Sequence, residues 1–211
     1  MKGLFITFEG IDGAGKSTQL KLTAQALREL GYEVVESREP GGTSLAEKVR
    51  ELVLDPSLPL NTTTQTLLYL AARSEHVDKV LKPAVAAGKI VLCDRFSDST
   101  LVYQGLAQGK ALDELYELRR LNDFACAGLT PDATLIFDGD PQKLLTRRQV
   151  RGVSDRYELQ GLDFQQRLRT GFLAIAKAEP QRVHLINAED TPEKVFAAVM
   201  QSIKALLNED K

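Results

Sequence analysis

A chain of 211 residues with 43% hydrophobic residues is long enough for one compact domain with a substantial core. Its 27 Lys and Arg stand against 29 Asp and Glu, a balance that disfavours a nucleic-acid-binding face and confines any positive patch to a local site. No run of about 18 apolar residues appears, and MKGLFITFEG reaches an acidic residue before a signal-peptide apolar region forms, so the expectation is a cytoplasmic protein without membrane contact.

From the amino terminus, GLFITFE (3–9) reads as a buried strand, and the next segment carries Leu20, Ala24 and Leu27 on one helical side before stopping at Gly31. Between them, Gly10, Ile11, Asp12, Gly13, Ala14, Gly15, Lys16 and Ser17 match G-x-x-x-x-G-K-[ST], followed by Thr18, in the strand-to-helix context the motif requires. Glycines let successive amides turn inward around an anion, and the helix terminus adds partial positive charge. Lys16 is placed to reach the β- and γ-phosphates of a nucleoside triphosphate, and Ser17 to ligate Mg²⁺. Packing also produces glycine-rich turns, but it has no use for a lysine at that spacing.

YEVVES (32–37) is the second strand, and it runs into SREPGGTSLAEKVR, where the Pro40-Gly41-Gly42 turn exposes backbone beside Arg38, Glu39 and, one helix along, Arg50. The segment 63–87 is helical in pattern despite Pro83, and Tyr69 and Arg73, one turn apart, share a face. KIVLC (89–93) is the third strand. Its end delivers Asp94 and Arg95 at the carboxyl edge of a parallel sheet, where ligands bind in open α/β folds. Asp94 suits a metal-bound water and Arg95 a forked contact with phosphate. Cys93 and Cys126 have neither metal-ligand spacing nor a redox partner and read as small core residues, and Phe96 and Phe124 are assigned to the core.

A helix is expected over 111–127, then a fourth strand, DATLIFD (132–138). RRQVRGVSDRYE (147–158), behind a short helix, concentrates cations around Gly152 and reads as a lid. RVHLI (182–186) is the fifth strand, and the last helix, from Thr191, turns Val195, Val199, Ile203 and Leu206 inward. His76 and His184 read as surface or core residues without a catalytic role, and Tyr103 as part of an acceptor-pocket wall or as packing beneath its turn. This alternation predicts an α/β fold: a three-layer P-loop NTPase sandwich, a five-stranded parallel sheet with helices on both faces and a small lid. Residues 1–211 read as one domain, the lid spanning 147–161.

The chain lacks the N-K-x-D motif of a GTPase switch and the L-S-G-G-Q signature of a transporter ATPase. Arginines near strand ends and a cationic lid favour a small-molecule kinase.

FEGIDGAGKST, REPGGT, LLYLAAR, VLCDRF, STLVYQG, PDATLIFD and the lid with DRYE occur in the order found in the thymidylate kinase family, which the chain resembles over nearly its whole length. The resemblance implies transfer of the ATP γ-phosphoryl group to dTMP, a place in dTTP synthesis, Mg²⁺, and a homodimer. It implies Tyr69 as the ring stacked on thymine, with Arg73, Thr100 and Gln104 reading the base edge. It assigns Arg50 and Arg95 to the dTMP phosphate, Glu39 to the acceptor-pocket loop, and Asp94 to the neighbourhood of the metal. Some members carry an arginine inside the phosphate loop where this chain has Gly13. The chain resembles the bacterial type, whose lid arginines supply that charge, and Arg147 and Arg151, either side of Arg148, inherit the role. Two other readings stay open: a different nucleoside-monophosphate or small-metabolite kinase, and a nucleotide switch without an acceptor.

Overall fold

A computed structural model describes residues 3–149, 157 and 160–209. Strand β1 (Leu4–Glu9), β3 (Ile90–Asp94) and β4 (Ala133–Asp138) are apolar on both faces and almost wholly buried, whereas β2 (Val34–Arg38) and β5 (Val183–Asn187) alternate and are partly exposed. That difference puts the first three at the centre of a parallel sheet and the other two at its edges. The observed order is β2-β3-β1-β4-β5, with every neighbouring pair parallel. Register pairs Phe8 with Asp94 and Arg38 with Asp94 at the carboxyl edge, so the polar strand ends converge there.

Alternation along the strands feeds two cores. Leu4, Ile6 and Phe8 pack with Leu20, Ala24 and Leu27 of α1 (Lys16–Glu29), with Phe164, Leu168 and Phe172 of α8 (Gly161–Ala178), and with Val195, Val199 and Ile203 of α9 (Pro192–Glu209). Phe5, Val91 and Cys93 belong to a second cluster with Val77, Leu81, Phe96 and Cys126. Both cysteines are buried there as expected. Leu206 is only partly buried at the edge of the first cluster.

Helix α2 (Ser44–Leu54) is capped by Thr43, whose hydroxyl accepts from the Ala46 amide at 3.1 Å, and α3 (Thr62–His76) by Asn61, which accepts from the Thr64 amide at 2.8 Å. The expected 63–87 helix runs from α3 through a π-helical turn, Val77–Leu81, into α4 (Lys82–Ala86). Pro83 brings no amide hydrogen to the ladder, and the wider π turn lies just before it. After β3 come α5 (Ser97–Thr100), a second π turn (Leu101–Gly105) and a 3₁₀ turn (Leu106–Gln108), then α6 (Leu112–Cys126).

Two features depart from the sequence reading. Helix α8 was not anticipated between the lid and β5, although Phe164, Leu168, Phe172 and Ile175 lie at helical spacing. Phe124, assigned to the core, is 85% exposed on α6, because that helix turns Leu118, Asn122 and Ala125 inward instead. Phe96 is buried as expected. No described helix is long and apolar enough to cross a membrane.

Candidate active site

A cavity of about 1090 Å³ opens at the carboxyl edge of the sheet, above the roughly 300–1,000 Å³ range of single-ligand pockets. Its lining falls into two ends that share one space.

At one end the segment between β1 and α1 wraps the start of the helix. Gly10 has φ +127°, and a Cβ there would lie 2.5 Å from the Phe137 carbonyl oxygen, so only glycine permits this turn. Gly15 caps α1 at φ +88° and offers no side chain to the first turn, unlike Thr43 and Asn61 on α2 and α3. Among the described residues, the amides of Gly13, Ala14, Gly15, Lys16 and Ser17 meet no protein acceptor. A helix start left in this state is an anion site. Gly13, Ala14, Gly15, Lys16, Ser17 and Thr18 line the cavity with Asp12, whereas Gly10 and Ile11 are buried beneath it.

Lys16 is nearly buried, its Nζ 2.9 Å from the Ile11 carbonyl and 4.0 Å from Asp12. Burial, reinforced by Arg95, pulls its pKa down from 10.5 to about 8. Ser17 Oγ donates to Asp94 Oδ2 at 2.5 Å. A hydroxyl and a carboxylate oxygen so close form a hard-oxygen pair of the kind that suits Mg²⁺, which keeps waters and phosphate oxygens as its other ligands.

Arg95 links the two ends. It has φ +70°, a left-handed conformation that a non-glycine residue adopts only when its surroundings enforce it. Its amide donates to the Phe8 carbonyl at 3.0 Å. Its guanidinium donates to the Gly10 carbonyl (3.0 Å), Asp12 Oδ1 (2.8 Å) and Ser99 Oγ (3.2 Å), and lies 5.0 Å from the centre of the Tyr103 ring. Beneath it sits Glu9, fully buried, accepting from the amides of Phe96 (2.7 Å) and Ser99 (3.2 Å) and from the Ser99 hydroxyl (2.6 Å). Burial, and then the nearby Asp98 carboxylate, raise the Glu9 pKa from 4.5 to about 7.

The other end is walled by Arg38, Glu39, Arg50, Tyr69, Arg73, Thr100, Tyr103 and Gln104. Arg73 is buried and pre-set by four partners: Nε to Glu39 (2.7 Å), Nη1 to Thr100 (2.8 Å) and to Asn122, and Nη2 to the Phe96 carbonyl (2.9 Å). Glu39 is gripped from its other side by His76 Nδ1 at 3.0 Å, whose Nε2 meets Ser37 at 2.6 Å. Arg50 donates to the Pro40 carbonyl at 3.0 Å, holding the turn after β2. Cations over a concave floor with one aromatic wall fit a flat base carrying an anionic tail.

The comparisons with known proteins agree with that geometry. The thymidylate kinase family model matches residues 8–199. The chain is 46% identical to thymidylate kinase of Gluconobacter oxydans, covering 96% of this chain and 94% of that protein. It is 47% identical to thymidylate kinase of Pseudomonas fluorescens strain SBW25, covering 98% and 96%. A crystal structure of thymidylate kinase from Ehrlichia chaffeensis superposes with a TM-score of 0.77 at 38% identity, over 96% of this chain and 99% of that one. The chain belongs to the thymidylate kinase family. It is a nucleoside-monophosphate kinase of the P-loop α/β type, phosphorylating dTMP with ATP as donor.

In this thymidylate kinase fold, every described residue that the sequence assigned to nucleotide, metal or acceptor binding borders the cavity except Gly10 and Ile11. Arg147, on α7 (Pro141–Gln149), also lines it, with its guanidinium on the Ala188 and Glu189 carbonyls at 2.7 and 3.4 Å. Arg151 and most of the expected lid lie outside the described residues. Sequence reasoning missed Glu9, Ser99, Asn122 and the Ala188–Pro192 stretch that completes the phosphate-loop end. Glu9 had a legible signal, a carboxylate ending an otherwise apolar central strand. Asn122 had none, because a single asparagine on a charged helix reads as surface.

Proposed function

We propose that the cavity holds ATP and dTMP tail to tail, and that the residues at its two ends divide the work of phosphoryl transfer. The observation that carries this reading is Arg95, tied to the phosphate loop through Gly10 and Asp12 while its plane covers the Tyr103 wall of the acceptor end. An arginine there touches both anions at their junction.

The free amides of 13–17 and Lys16 take the β- and γ-phosphates. Ser17 and Asp94 would hold Mg²⁺, which would offset charge on the phosphate oxygens. Arg50 and Arg95 take the dTMP phosphate, with Glu39 shaping the loop between them. Tyr69 stacks on thymine while Arg73, Thr100 and Gln104 read its edge. No general base is required, because a phosphate monoester with a second pKa of about 6 is already an anion at neutral pH. Positioning and charge neutralisation therefore supply the rate. Arg147 and Arg151, in the lid expected over 147–161, supply the charge that neutralises the transferring group; Arg147 rests on the 188–189 carbonyls and Arg151 lies outside the described residues.

The chain works as one kinase domain in the cytoplasm and as a homodimer. Leu112, Tyr116, Leu121 and Phe124 leave α6 with exposed apolar side chains, Phe124 at 85% and Leu112 at 86%, a density that suits a second copy. Light scattering reads the mass directly.

ADP release measured with a panel of nucleoside monophosphates tests the assignment. dTMP stimulates turnover most. If dCMP or dUMP outperforms it, the acceptor assignment is wrong, and if no monophosphate stimulates ADP release, so is the kinase assignment.

A further inference from the structure

A hydrogen-bond chain runs from fixed backbone into the base end of the cavity, and its direction is set by chemistry at every link. Gln65 Nε2 donates to the Leu60 carbonyl at 3.0 Å. A carbonyl oxygen only accepts, so the Gln65 amide cannot be reversed, and its Oε1 is the atom facing Tyr157. The Tyr157 hydroxyl, 3.2 Å away, therefore spends its one hydrogen on Gln65 Oε1. Its oxygen is left to accept, and Gln104 Nε2 donates to it at 2.9 Å. Burial together with the neighbouring Tyr157 holds the Tyr69 phenol well above its ordinary pKa, hence protonated. The three links from the Leu60 carbonyl to Gln104 therefore agree in direction throughout.

The consequence falls on Gln104. Its nitrogen is committed to Tyr157, and among the described residues no donor meets its Oε1. The side chain is almost buried at the cavity wall, so it presents an acceptor that cannot become a donor by an amide flip. Tyr157 is locked in turn by edge-on contact with Tyr103 at 5.1 Å and stacking on Phe164 at 6.2 Å.

We propose that Gln65 and Tyr157 are positioning residues that fix Gln104 as a hydrogen-bond acceptor, selecting a base whose ring nitrogen carries a hydrogen. This deepens the acceptor assignment and rests on Gln104 reading the base. Thymine and uracil present an N3–H at that edge; cytosine presents a bare N3 lone pair, which meets Oε1 acceptor to acceptor. A site built to receive a donor discriminates strongly against an analogue lacking one, because buried polar groups then stay unpaired. Arg73, a pure donor, reads the neighbouring exocyclic oxygen independently, so the relay carries part of the selectivity and Arg73 the rest.

The test compares Tyr157→Phe, Gln65→Leu and Gln104→Ala in the full-length protein, with kcat/KM for dTMP and for dCMP from ADP release and ATP affinity as the check on folding. Tyr157→Phe keeps the ring packing but frees Gln104 to turn. The ratio of kcat/KM for dTMP over dCMP falls about tenfold in both relay variants, with the loss in KM for dTMP rather than in kcat. Gln65→Leu decides the matter alone should Tyr157→Phe fail to bind ATP. If Gln104→Ala loses discrimination while both relay variants keep the wild-type ratio, the relay is wrong and the acceptor assignment survives. If Gln104→Ala itself keeps the ratio, Gln104 does not read the base, and the relay falls with it.

Discussion

Lys16 is the residue on which the phosphate-loop end depends, and its depressed pKa has a measurable consequence. With a pKa lowered to about 8 by burial, much of the amine is neutral at pH 8.5, and binding of a triphosphate is expected to restore the proton. Titration calorimetry at pH 8.5 in buffers of different ionisation enthalpy is expected to show uptake of roughly 0.5–0.8 proton per ATP, abolished by Lys16→Met. Glu9 behaves in the opposite sense. Its carboxyl titrates near 7 when folded and near 4.5 ordinarily, so the folded state holds the extra proton between those values. Stability attributable to Glu9 therefore falls as pH rises from 4.5 to 7 and stays lower above it, by an amount on the order of 3 kcal/mol. Denaturant melts of wild type and Glu9→Gln across that window show the difference, with Glu9→Gln relatively more stable at pH 8 than at pH 4.5. Arg73 carries a structural debt besides its place at the base end. Arg73→Ala strips a buried Glu39 of its strongest partner, which costs about 3–5 kcal/mol. The melting temperature is expected to drop by roughly 10 °C, alongside a raised KM for dTMP. A wild-type melt for Arg73→Ala contradicts the grip described for Glu39.

At the scale of elements, what the sequence shows depends on whether a segment's job is local. The turn from β1 into α1 is legible because glycine geometry and the bare helix start are properties of consecutive residues. The same holds for the central strands, whose unbroken apolar runs need burial on both faces. Helix α8 was harder to see because its inward positions, Phe164, Leu168 and Phe172, are separated by charged and polar residues, and it directly follows a basic stretch that dominates the local pattern. The Arg95 conformation was invisible for a different reason. Nothing in CDRF announces a left-handed arginine, since the positive φ is enforced by Phe8, Gly10, Asp12 and Glu9, far away in sequence. Phe124 reads as core only if the helix is imagined with a different face inward. The lid prediction also belongs here: Arg151→Ala is expected to lower kcat by about 10³ or more while changing KM for dTMP modestly. Single-turnover rates measure it, and a variant turning over at the wild-type rate contradicts the role assigned to Arg151.

Across the whole molecule, strand order makes the site. Placing β1 between β3 and β4 sets the phosphate loop beside the Asp94–Arg95 strand end, while β2, one strand further out, brings the Arg38–Gly42 turn to the far side of the same cavity. The two ends of the cavity thus face each other across Arg95, and in the proposed reading fixed charges already in position offset the repulsion between two phosphorylated ligands. Neither end predicts this alone; the phosphate loop specifies only a triphosphate site, and the arginines, read singly, look like ordinary surface residues. The most direct measurement is a crystal structure with dTMP, Mg²⁺ and a non-hydrolysable ATP analogue bound together. The account predicts a dTMP phosphate oxygen within about 3.5 Å of the terminal phosphorus of the analogue, with Arg95 contacting the dTMP phosphate. A dTMP phosphate turned away from the triphosphate, or thymine lying against the phosphate loop, contradicts it.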